Sequence, residues 1–293
     1  MKIDEFDFFY NKHKGKKCLI LGGAPSIKDI DYKNFDGIII AMGDVPIRLK
    51  GECNVDYWIT ASNVFPKPDV DYDVINQFKN TTFLFSHSAA FKIDYSVLKT
   101  KLKLPWFEYD QRHFSGRPCN KQIDYRFDFE HKLDCCEYIG KTTIQEYLQE
   151  KYKTTDHYST ASTVAIHGLA LAIILGCEDI YIAGVDLPLN QKDYNYFGND
   201  SLLKLLRGTG PKKGIIKYNI KQFFIVLFKI NRKSVFYDDM PTILKDFEYL
   251  TNICISNDIN LYNLSKNSSL NKIHGLIYLA PCHLKLHGNP IDK

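Results

Sequence analysis

The sequence predicts an α/β fold built on a parallel sheet, and two observations carry this prediction. Short apolar runs without polar alternation recur along the chain, which is typical of strands buried on both faces. Each run ends in glycine or in small polar residues, and helix-forming segments lie between several of the runs. Parallel strands need such crossovers, so the pattern predicts a Rossmann-like parallel sheet with helices on both faces.

Six segments fit this description of a buried strand. The first runs K-C-L-I-L-G and is followed by Gly23, and Pro25 and Ser26 then favour the start of a helix. In an open parallel sheet, a ligand binds just outside the carboxyl ends of the strands, so the residues after each run are the candidate site. The predicted strands are residues 17–22, 37–41, 56–60, 81–85, 179–184 and 260–264, and the main predicted helices are 162–175 and 242–256.

The chain is predicted to form a single α/β domain over residues 1–293, with two excursions from the sheet. Residues 105–158 mix aromatic, charged and cysteine residues without clear periodicity, apart from a predicted helix at 143–152. Residues 187–235 contain two apolar helical segments, 202–206 and 220–230, joined by a link rich in glycine and lysine. That link fits either a mobile lid or a solvated loop, and the two excursions are expected to form a lid.

Composition excludes several classes of protein. Apolar residues make up 45% of the chain and charged residues 25%, which excludes wholesale disorder. The net charge of +4, from 38 Lys+Arg against 34 Asp+Glu, is too small for a dedicated nucleic-acid binder and suits an anionic ligand. The eight cysteines include no C-x-x-C pair, so buried, reduced thiols are expected rather than a zinc site.

The ends of the chain and its apolar runs bear on where the protein resides. The first residues include acids where a signal peptide would be basic, and the longest apolar stretch, 164–175, is too short to cross a bilayer. We therefore expect a cytoplasmic protein that contacts a membrane at most peripherally, at the inner membrane surface. It is expected to bind no nucleic acid and to be able to form a homo-oligomer.

The first candidate site is the turn after the first strand, G-G-A-P-S. Gly22 and Gly23 let the backbone approach a phosphate closely, and Ser26 adds a hydroxyl donor after Ala24 and Pro25. The spacing is neither G-x-G-x-x-G nor a Walker loop, since no G-K-[ST] follows. The alternative interpretation is a tight strand-to-helix turn without a ligand.

The second candidate is the segment S-T-A-S-T-V before the helix predicted at 162–175. Ser162 or Thr163 would cap this helix, and the same helix start can hold an anion. Simple capping is the alternative, and the two roles are compatible.

The third candidate is G-V-D at 184–186, with the tyrosines that follow it. Asp186 ends a buried strand, where an acid can orient a sugar hydroxyl, bind a metal through water or act as a base. Tyr194 and Tyr196 can donate hydrogen bonds to a phosphate and screen charge on a leaving group. The alternative is that these tyrosines pack a surface loop.

Two of these segments carry a resemblance to a known superfamily. G-G-A-P-S-I-K-D-I-D at 22–31 and S-T-V-A-I-H-G-L-A-L-A-I-I-L-G-C-E-D-I-Y-I-A-G-V-D at 162–186 resemble a superfamily of Rossmann-like transferases. Its branches include the bacterial sialyltransferases of glycosyltransferase family 42, the Maf/DUF115 group and a 6-hydroxymethylpterin diphosphokinase. The resemblance covers roughly residues 16–64 and 159–265 and implies a GT-A-like variant of the fold.

The sialyltransferase resemblance assigns roles to individual residues. Their G-N-G-P-S loop is similar to residues 22–26, although Gly23 and Ala24 stand where Asn and Gly would, so one nucleotide contact is lost. Their G-I-D-F-Y-x-N-x-x-x-Y resembles residues 184–194, which implies that Tyr194 binds the departing phosphate. Asn or small polar residues that end the second and third strands bind the nucleotide in that family, and Gly43, Asp44, Ser62 and Asn63 fall at those positions here.

The catalytic base is where the chain departs most from that family. The sialyltransferases place a histidine shortly before the helix that is predicted here at 242–256, whereas this chain reads S-V-F-Y-D-D-M without one. Asp238 or Asp239 takes that role, or a histidine from elsewhere such as His87 or His157 does, or the reaction differs. The F-Y-D-D segment looks more like the Maf/DUF115 branch.

The resemblance implies a glycosyltransferase that moves sialic acid or a related nonulosonic acid from a CMP-activated donor to a surface glycan such as lipooligosaccharide. No cofactor or metal is then required, because hydroxyls and helix ends can neutralise the leaving phosphate. The alternative enzyme is a pterin diphosphokinase, which would use ATP and Mg²⁺ held by acids such as Asp44 and Asp186. The non-enzymatic alternative is a nucleotide-sugar-binding module without catalysis.

Overall fold

The computed structural model describes residues 2–3, 5–49, 51–60, 71–86, 95–109, 144–154, 163–187 and 240–288. These residues contain one open sheet of nine strands, in which every pair of neighbours is parallel. Its order is β1-β6-β5-β4-β3-β2-β7-β8-β9. The strands are β1 Lys2–Ile3, β2 Lys17–Leu21, β3 Ile38–Met42, β4 Tyr57–Thr60, β5 Thr82–Ser86, β6 Trp106–Tyr109, β7 Asp179–Ala183, β8 Asn260–Asn263 and β9 Ile277–Tyr278.

Helices cover both faces of this sheet, as predicted. Leu19 and Ile20 of β2 belong to opposite apolar clusters, one on each face of the sheet, because successive side chains of a strand point to opposite faces. The helices are α1 Val45–Leu49, α2 Tyr72–Asn76, α3 Tyr95–Lys101, α4 Ile144–Tyr152, α5 Val164–Ile174 and α6 Met240–Ser256. The cluster with Ile20 includes α4, α5 and α6, and the cluster with Leu19 includes α1, α2 and α3.

Helix α5 packs directly on the middle of the sheet. All its residues after Val164 are buried, because it contacts β2, β3 and β4 on one side and α4 and α6 on the others. At Gly168 the helix comes so close to the sheet that an added Cβ would lie 3.2 Å from Met42 Sδ and 3.3 Å from Ile20 Cγ2. Since α5 leads into the parallel strand β7, its first turn lies at the carboxyl edge of the sheet.

The segment before β2 lines the opposite, amino edge. Backbone N–H groups of Asn11 and His13 donate to the carbonyls of Ile174 and Leu175 at the end of α5, at 2.9 and 2.8 Å. The His13 Nε2 atom lies 2.7 Å from the Tyr57 hydroxyl oxygen. Burial and the neighbouring Lys16 lower the pKa of His13.

All six predicted strands form, with bounds that differ by one or two residues. Strand β6 was not predicted and lies inside the segment that the sequence assigns to the first excursion. The charged Glu108 interrupts its apolar run, yet this residue is only 5% exposed, so the strand is buried despite its composition. Strands β1 and β9 have two residues each, which is too short for any sequence pattern to reveal.

The helix predictions are confirmed for α4, α5 and α6, and α6 begins two residues earlier than predicted. The helix expected after β2 is a short 3₁₀ helix, Pro25–Asp29, which ends at Ile30, where the backbone is extended and the N–H bonds back to the Ile27 carbonyl. The helices predicted at 202–206 and 220–230, and the lid role of both excursions, lie outside the described residues.

The cysteines that the structure describes are free thiols. Cys18, Cys177 and Cys254 are buried, as expected, whereas Cys53 is half-buried and Cys282 is exposed. Burial raises the pKa of the Cys254 thiol to about 12. Within the described ranges, no helix is both long and apolar enough to cross a bilayer.

Candidate active site

The strand order reverses between β2 and β7, and we call the carboxyl edge of the sheet at this point the crevice. From β2 the chain continues to β3 on one side, and from β7 it continues to β8 on the other. The two connections leave in opposite directions, and in open α/β sheets this reversal of strand order marks the ligand site at the carboxyl edge. The segments singled out from the sequence, 22–26 and 184–186, begin where these two strands end.

The backbones of Gly22 and Gly184 cross at the floor of this crevice. Gly22 N–H donates to the Ala183 carbonyl at 2.8 Å, and Ala24 N–H donates to the Gly184 carbonyl at 2.9 Å. A Cβ on Gly22 would clash with the Gly184 carbonyl oxygen, and one on Gly184 would clash with the Gly22 carbonyl oxygen. Gly184 also has a φ of +67°, which favours glycine. The glycines therefore serve close backbone contact between two strand ends.

The Asp186 carboxylate joins three segments of the chain. Its Oδ2 accepts the backbone N–H of Ser26 at 3.1 Å, and its Oδ1 accepts the hydroxyls of Ser26 and of Ser265, the latter at 2.8 Å. The two serine hydroxyl oxygens lie 2.6 Å apart. The residues after β2, β7 and β8 thus meet at one carboxylate, and we call these three residues the serine–aspartate cluster.

Ser265 is a site residue that the sequence analysis missed. It belongs to the polar turn after β8, and its backbone is held by the side-chain amides of two asparagines. Asn263 Nδ2 donates to the Ser265 carbonyl at 3.0 Å, and Asn263 Oδ1 accepts Ser265 N–H at 3.2 Å. Asn271 Nδ2 donates to the same carbonyl at 3.1 Å. The signal was its position directly after a predicted strand, the criterion applied to the other candidates.

The turn after β8 is also fastened to the segment after β7. Ser268 donates its hydroxyl to the Val185 carbonyl at 3.1 Å, and Ser269 N–H donates to the Leu187 carbonyl at 3.0 Å. Leu187 has a φ of +33°, a strained conformation for a residue with a bulky side chain. Its side chain is 5% exposed, so packing and the Ser269 bond hold this conformation next to Asp186.

Gly43 and Asp44 follow β3 at the same edge of the sheet. Gly43 has a φ of +58°, and among the described residues other than its two chain neighbours no atom lies within 4 Å of where its Cβ would be. Asp44 Oδ2 accepts a hydrogen bond from Arg48 Nε at 2.6 Å, and both side chains are largely buried. An added Cβ on Gly23 would lie 3.7 Å from Asp44 Oδ1, which places the loop after β2 beside this ion pair.

Thr163 caps α5, for which the sequence predicted either Ser162 or Thr163 as the cap. Its hydroxyl accepts the backbone N–H of Ala165 at 3.3 Å. The helix start lies at the carboxyl edge, on the side of the sheet covered by α5. The cap is therefore established for Thr163, and its second role in binding an anion stays a prediction.

Several predicted site residues lie outside the described residues. Their roles as nucleotide contacts, leaving-group donor or base therefore stay predictions. They are Ser62, Asn63, Ser162, Tyr194, Asp238 and Asp239, together with the alternative bases His87 and His157.

The acids named for a Mg²⁺ site are already engaged by protein groups. Asp44 pairs with Arg48, and Asp186 accepts hydrogen bonds from both serines of the cluster. In the part of the chain that the structure describes, no group of three histidine, cysteine or acidic residues is arranged to hold a metal ion. These contacts use only part of the accepting capacity of each carboxylate, so a Mg²⁺ site at Asp44 and Asp186 stays a prediction from the sequence.

No family model matches the chain, and neither does any curated protein. Among solved structures, it is similar to a variant of the sialyltransferase CST-II in complex with CMP, at 19% identity over 89% of this chain and 86% of that one, with a TM-score of 0.47. It is also similar to CstII from Campylobacter jejuni in complex with cytidine-5'-monophosphate, at 19% identity over 90% of this chain and 85% of that one, with a TM-score of 0.41. A third similar structure is an α-2,3-sialyltransferase from Campylobacter jejuni in apo form, at 16% identity over 94% of this chain and 84% of that one, with a TM-score of 0.38.

Similarity at these identities and TM-scores carries no conclusion about activity. The fold rests on the parallel sheet of this chain and its helices on both faces. The resemblances to the Maf/DUF115 group and to the pterin diphosphokinase stay predictions from the sequence.

Proposed function

We propose that the protein is a glycosyltransferase that takes sialic acid or a related nonulosonic acid from a CMP-activated donor and passes it to a surface glycan such as lipooligosaccharide. One observation carries the proposal. Segments 22–26 and 184–186, on which the sequence resemblance rests, are 160 residues apart in the chain and are hydrogen-bonded to each other at the switch point of the sheet.

The crevice suits the phosphate of a nucleotide donor. Gly23 is half-buried and presents backbone without a side chain, and the half-buried hydroxyl of Ser26 lies close to it in the same turn. At the end of β3, no atom of the described residues beyond its chain neighbours lies within 4 Å of where a Cβ on Gly43 would be. The Asp44 charge is balanced by Arg48, which lowers the repulsion that an anionic ligand would meet there.

In the proposed reaction, an acceptor hydroxyl attacks the anomeric carbon of the donor sugar. The bond from that carbon to the phosphate oxygen of CMP breaks, and the electron pair leaves with CMP. Tyr194 donates a hydrogen bond to the departing phosphate. The acceptor proton passes to Asp238 or Asp239, or to a histidine such as His87 or His157. Gly43, Asp44, Ser62, Asn63, Ser162 and Thr163 complete the donor site in this proposal.

The deciding experiment is a thermal-shift panel with CMP, CDP, UDP, GDP, ATP, and ATP with Mg²⁺. Stabilisation by cytidine nucleotides alone, followed by release of CMP from CMP-sialic acid, is the expected result. A response only to ATP with Mg²⁺ would favour the diphosphokinase instead. Binding of CMP without release of CMP from any CMP-activated sugar, with or without acceptor glycans, would favour a module without catalysis.

Matched variants separate the crevice from other surfaces. Ser26→Ala should weaken CMP binding, because it removes a hydroxyl at the crevice. Ser256→Ala is the control, since Ser256 is exposed at the end of α6, where the chain turns to the amino edge of β8. Equal affinities for CMP in both variants and the wild type would exclude Ser26 from the nucleotide site.

A further inference from the structure

We infer that Ser265 is a positioning residue that leaves the Ser26 hydroxyl free to turn toward the donor phosphate. This inference rests on the proposed function, because it assigns a phosphate to the crevice beside Ser26. It concerns the serine–aspartate cluster, and it gives Ser265 a role in affinity although Ser265 touches no ligand.

The cluster has more oxygen contacts than hydroxyl protons. Asp186 Oδ1, Ser26 Oγ and Ser265 Oγ form a triangle of three mutual contacts. Each serine hydroxyl carries one proton, and a carboxylate carries none, so two protons serve three contacts. One contact of the triangle is therefore without a donated hydrogen bond. Turning one hydroxyl out of the triangle therefore costs less free energy than it would if each of the three contacts carried a hydrogen bond.

Only one of the two hydroxyls is accessible to a ligand. Ser26 is half-buried at the rim of the crevice, whereas Ser265 is 1% exposed. Ser265 is also fixed by Asn263 and Asn271, which bond its backbone on both sides. Ser26 is thus the hydroxyl that can turn to a phosphate, and Ser265 is the one that remains on the carboxylate.

The presence of Ser265 decides what this turn costs. When Ser26 turns away, Asp186 Oδ1 keeps the hydrogen bond from Ser265, and Oδ2 keeps the backbone N–H of Ser26. In a variant that lacks the Ser265 hydroxyl, Asp186 Oδ1 would have no hydroxyl donor left in the cluster once Ser26 turned away. An under-satisfied carboxylate in a partly buried site is costly, so Ser26 would stay on Asp186 and bind the ligand less well.

The test is a double-mutant cycle on CMP affinity, with the wild type, Ser26→Ala, Ser265→Ala and the double variant. Isothermal titration calorimetry with CMP gives the affinities, and thermal unfolding without ligand gives the stabilities. Ser26→Ala and Ser265→Ala should each weaken CMP binding by about 10-fold, the worth of one hydrogen bond. The double variant should bind CMP no more weakly than Ser26→Ala, because Ser265 acts only through Ser26.

A merely structural Ser265 would give another pattern. Its substitution would lower the melting temperature and leave CMP affinity unchanged, or its effect on affinity would add fully to that of Ser26→Ala, and either result overturns the inference. Ser265→Cys serves if the alanine variant does not fold, because its thiol fills similar space and is a weak donor. With Ser26 unchanged, Ser265→Cys should bind CMP more weakly than the wild type does. Combined with Ser26→Ala, it should bind CMP as tightly as Ser26→Ala alone.

The outcomes separate this inference from the proposed function. If the wild type binds no CMP, both are wrong. If the wild type binds CMP and releases it from CMP-sialic acid but the cycle shows no coupling, only the role of Ser265 is wrong. Ser256→Ala should leave both CMP affinity and the coupling unchanged.

Discussion

Gly22 and Gly184 approach each other so closely that neither position has room for a Cβ atom. Each carbonyl oxygen occupies the space that a side chain would need on the other residue, and hydrogen bonds from Gly22 and Ala24 hold the two segments in register. The ends of β2 and β7 are therefore rigidly joined. The residues that follow them, Ser26 and Asp186, reach each other from a fixed base.

The first prediction compares alanine at two adjacent glycines. Gly22→Ala should lower the free energy of unfolding by about 3 kcal/mol or more, because the new Cβ meets backbone that cannot move aside. Gly23→Ala should change it by no more than about 0.5 kcal/mol, since its Cβ would make ordinary contacts at 3.7 Å. Urea unfolding of both variants gives the comparison. Equal losses at both positions would contradict the close crossing.

The second prediction separates the cap of α5 from a ligand role. Thr163→Ala should cost about 1 kcal/mol of stability, because Ala165 N–H loses its acceptor, whereas Thr163→Ser should keep the cap. Under the proposed function, CMP affinity should fall in the alanine variant and hold in the serine variant. A loss of stability with unchanged CMP affinity would leave Thr163 as a cap alone.

The third prediction concerns the leaving group. Tyr194→Phe should lower kcat by about 100-fold and change the KM for the CMP-activated donor little, because its hydrogen bond strengthens as charge develops on the phosphate. Steady-state release of CMP measures both constants. Tyr10→Phe is the control and should retain activity, because Tyr10 is exposed in the segment along the amino edge of the sheet. A rise in KM alone would make Tyr194 a binding residue.

The fourth prediction identifies the base. Either Asp238→Asn or Asp239→Asn, but not both singly, should abolish transfer while CMP affinity stays near that of the wild type. His87→Ala and His157→Ala are assayed beside them for transfer and for donor hydrolysis. An inactive histidine variant together with two active aspartate variants would move the base to that histidine and leave the transferase proposal standing.

The fifth prediction concerns pH and does not depend on function. Burial and nearby Lys16 and Lys12 lower the pKa of His13 below its ordinary 6.5, and Asp56 opposes them only in part. The unfolded chain therefore binds a proton at His13 more readily than the folded one, so stability should fall as pH drops below about 6.5. In His13→Gln, the urea midpoint should change less with pH between about pH 7.5 and 5.5 than it does in the wild type. In His274→Gln, at an exposed position, the midpoint should change with pH as in the wild type.

Much of the fold was accessible from the sequence because its central strands are buried on both faces. A run such as I-I-I-A-M in β3 cannot face water on either side, so its composition alone reveals the strand. Strand β6 was not predicted because Glu108 interrupts its apolar run and because the burial of the strand depends on neighbours far away in the chain. The two-residue strands β1 and β9 carry no periodicity at all.

The candidate site was predictable in position but not in arrangement. The rule that ligands bind at the carboxyl ends of strands located Ser26 and Asp186, and it applies equally to Ser265. That Asp186 joins both serines follows from the order in which the strands assemble, which local patterns do not encode. The structure shows why residues 22 and 184 are glycines, because their backbones contact each other, and the sequence analysis did not predict this contact.

The position of β2 between β3 and β7 also governs how a newly made chain matures. Residues 17–109 can pair among themselves soon after they leave the ribosome, but one edge of β2 stays bare until β7 emerges, about 160 residues later. At about 5 to 20 residues per second, that interval lasts roughly 8 to 32 s. An uncovered edge strand invites pairing with other nascent chains, so chaperone protection matters most in this window.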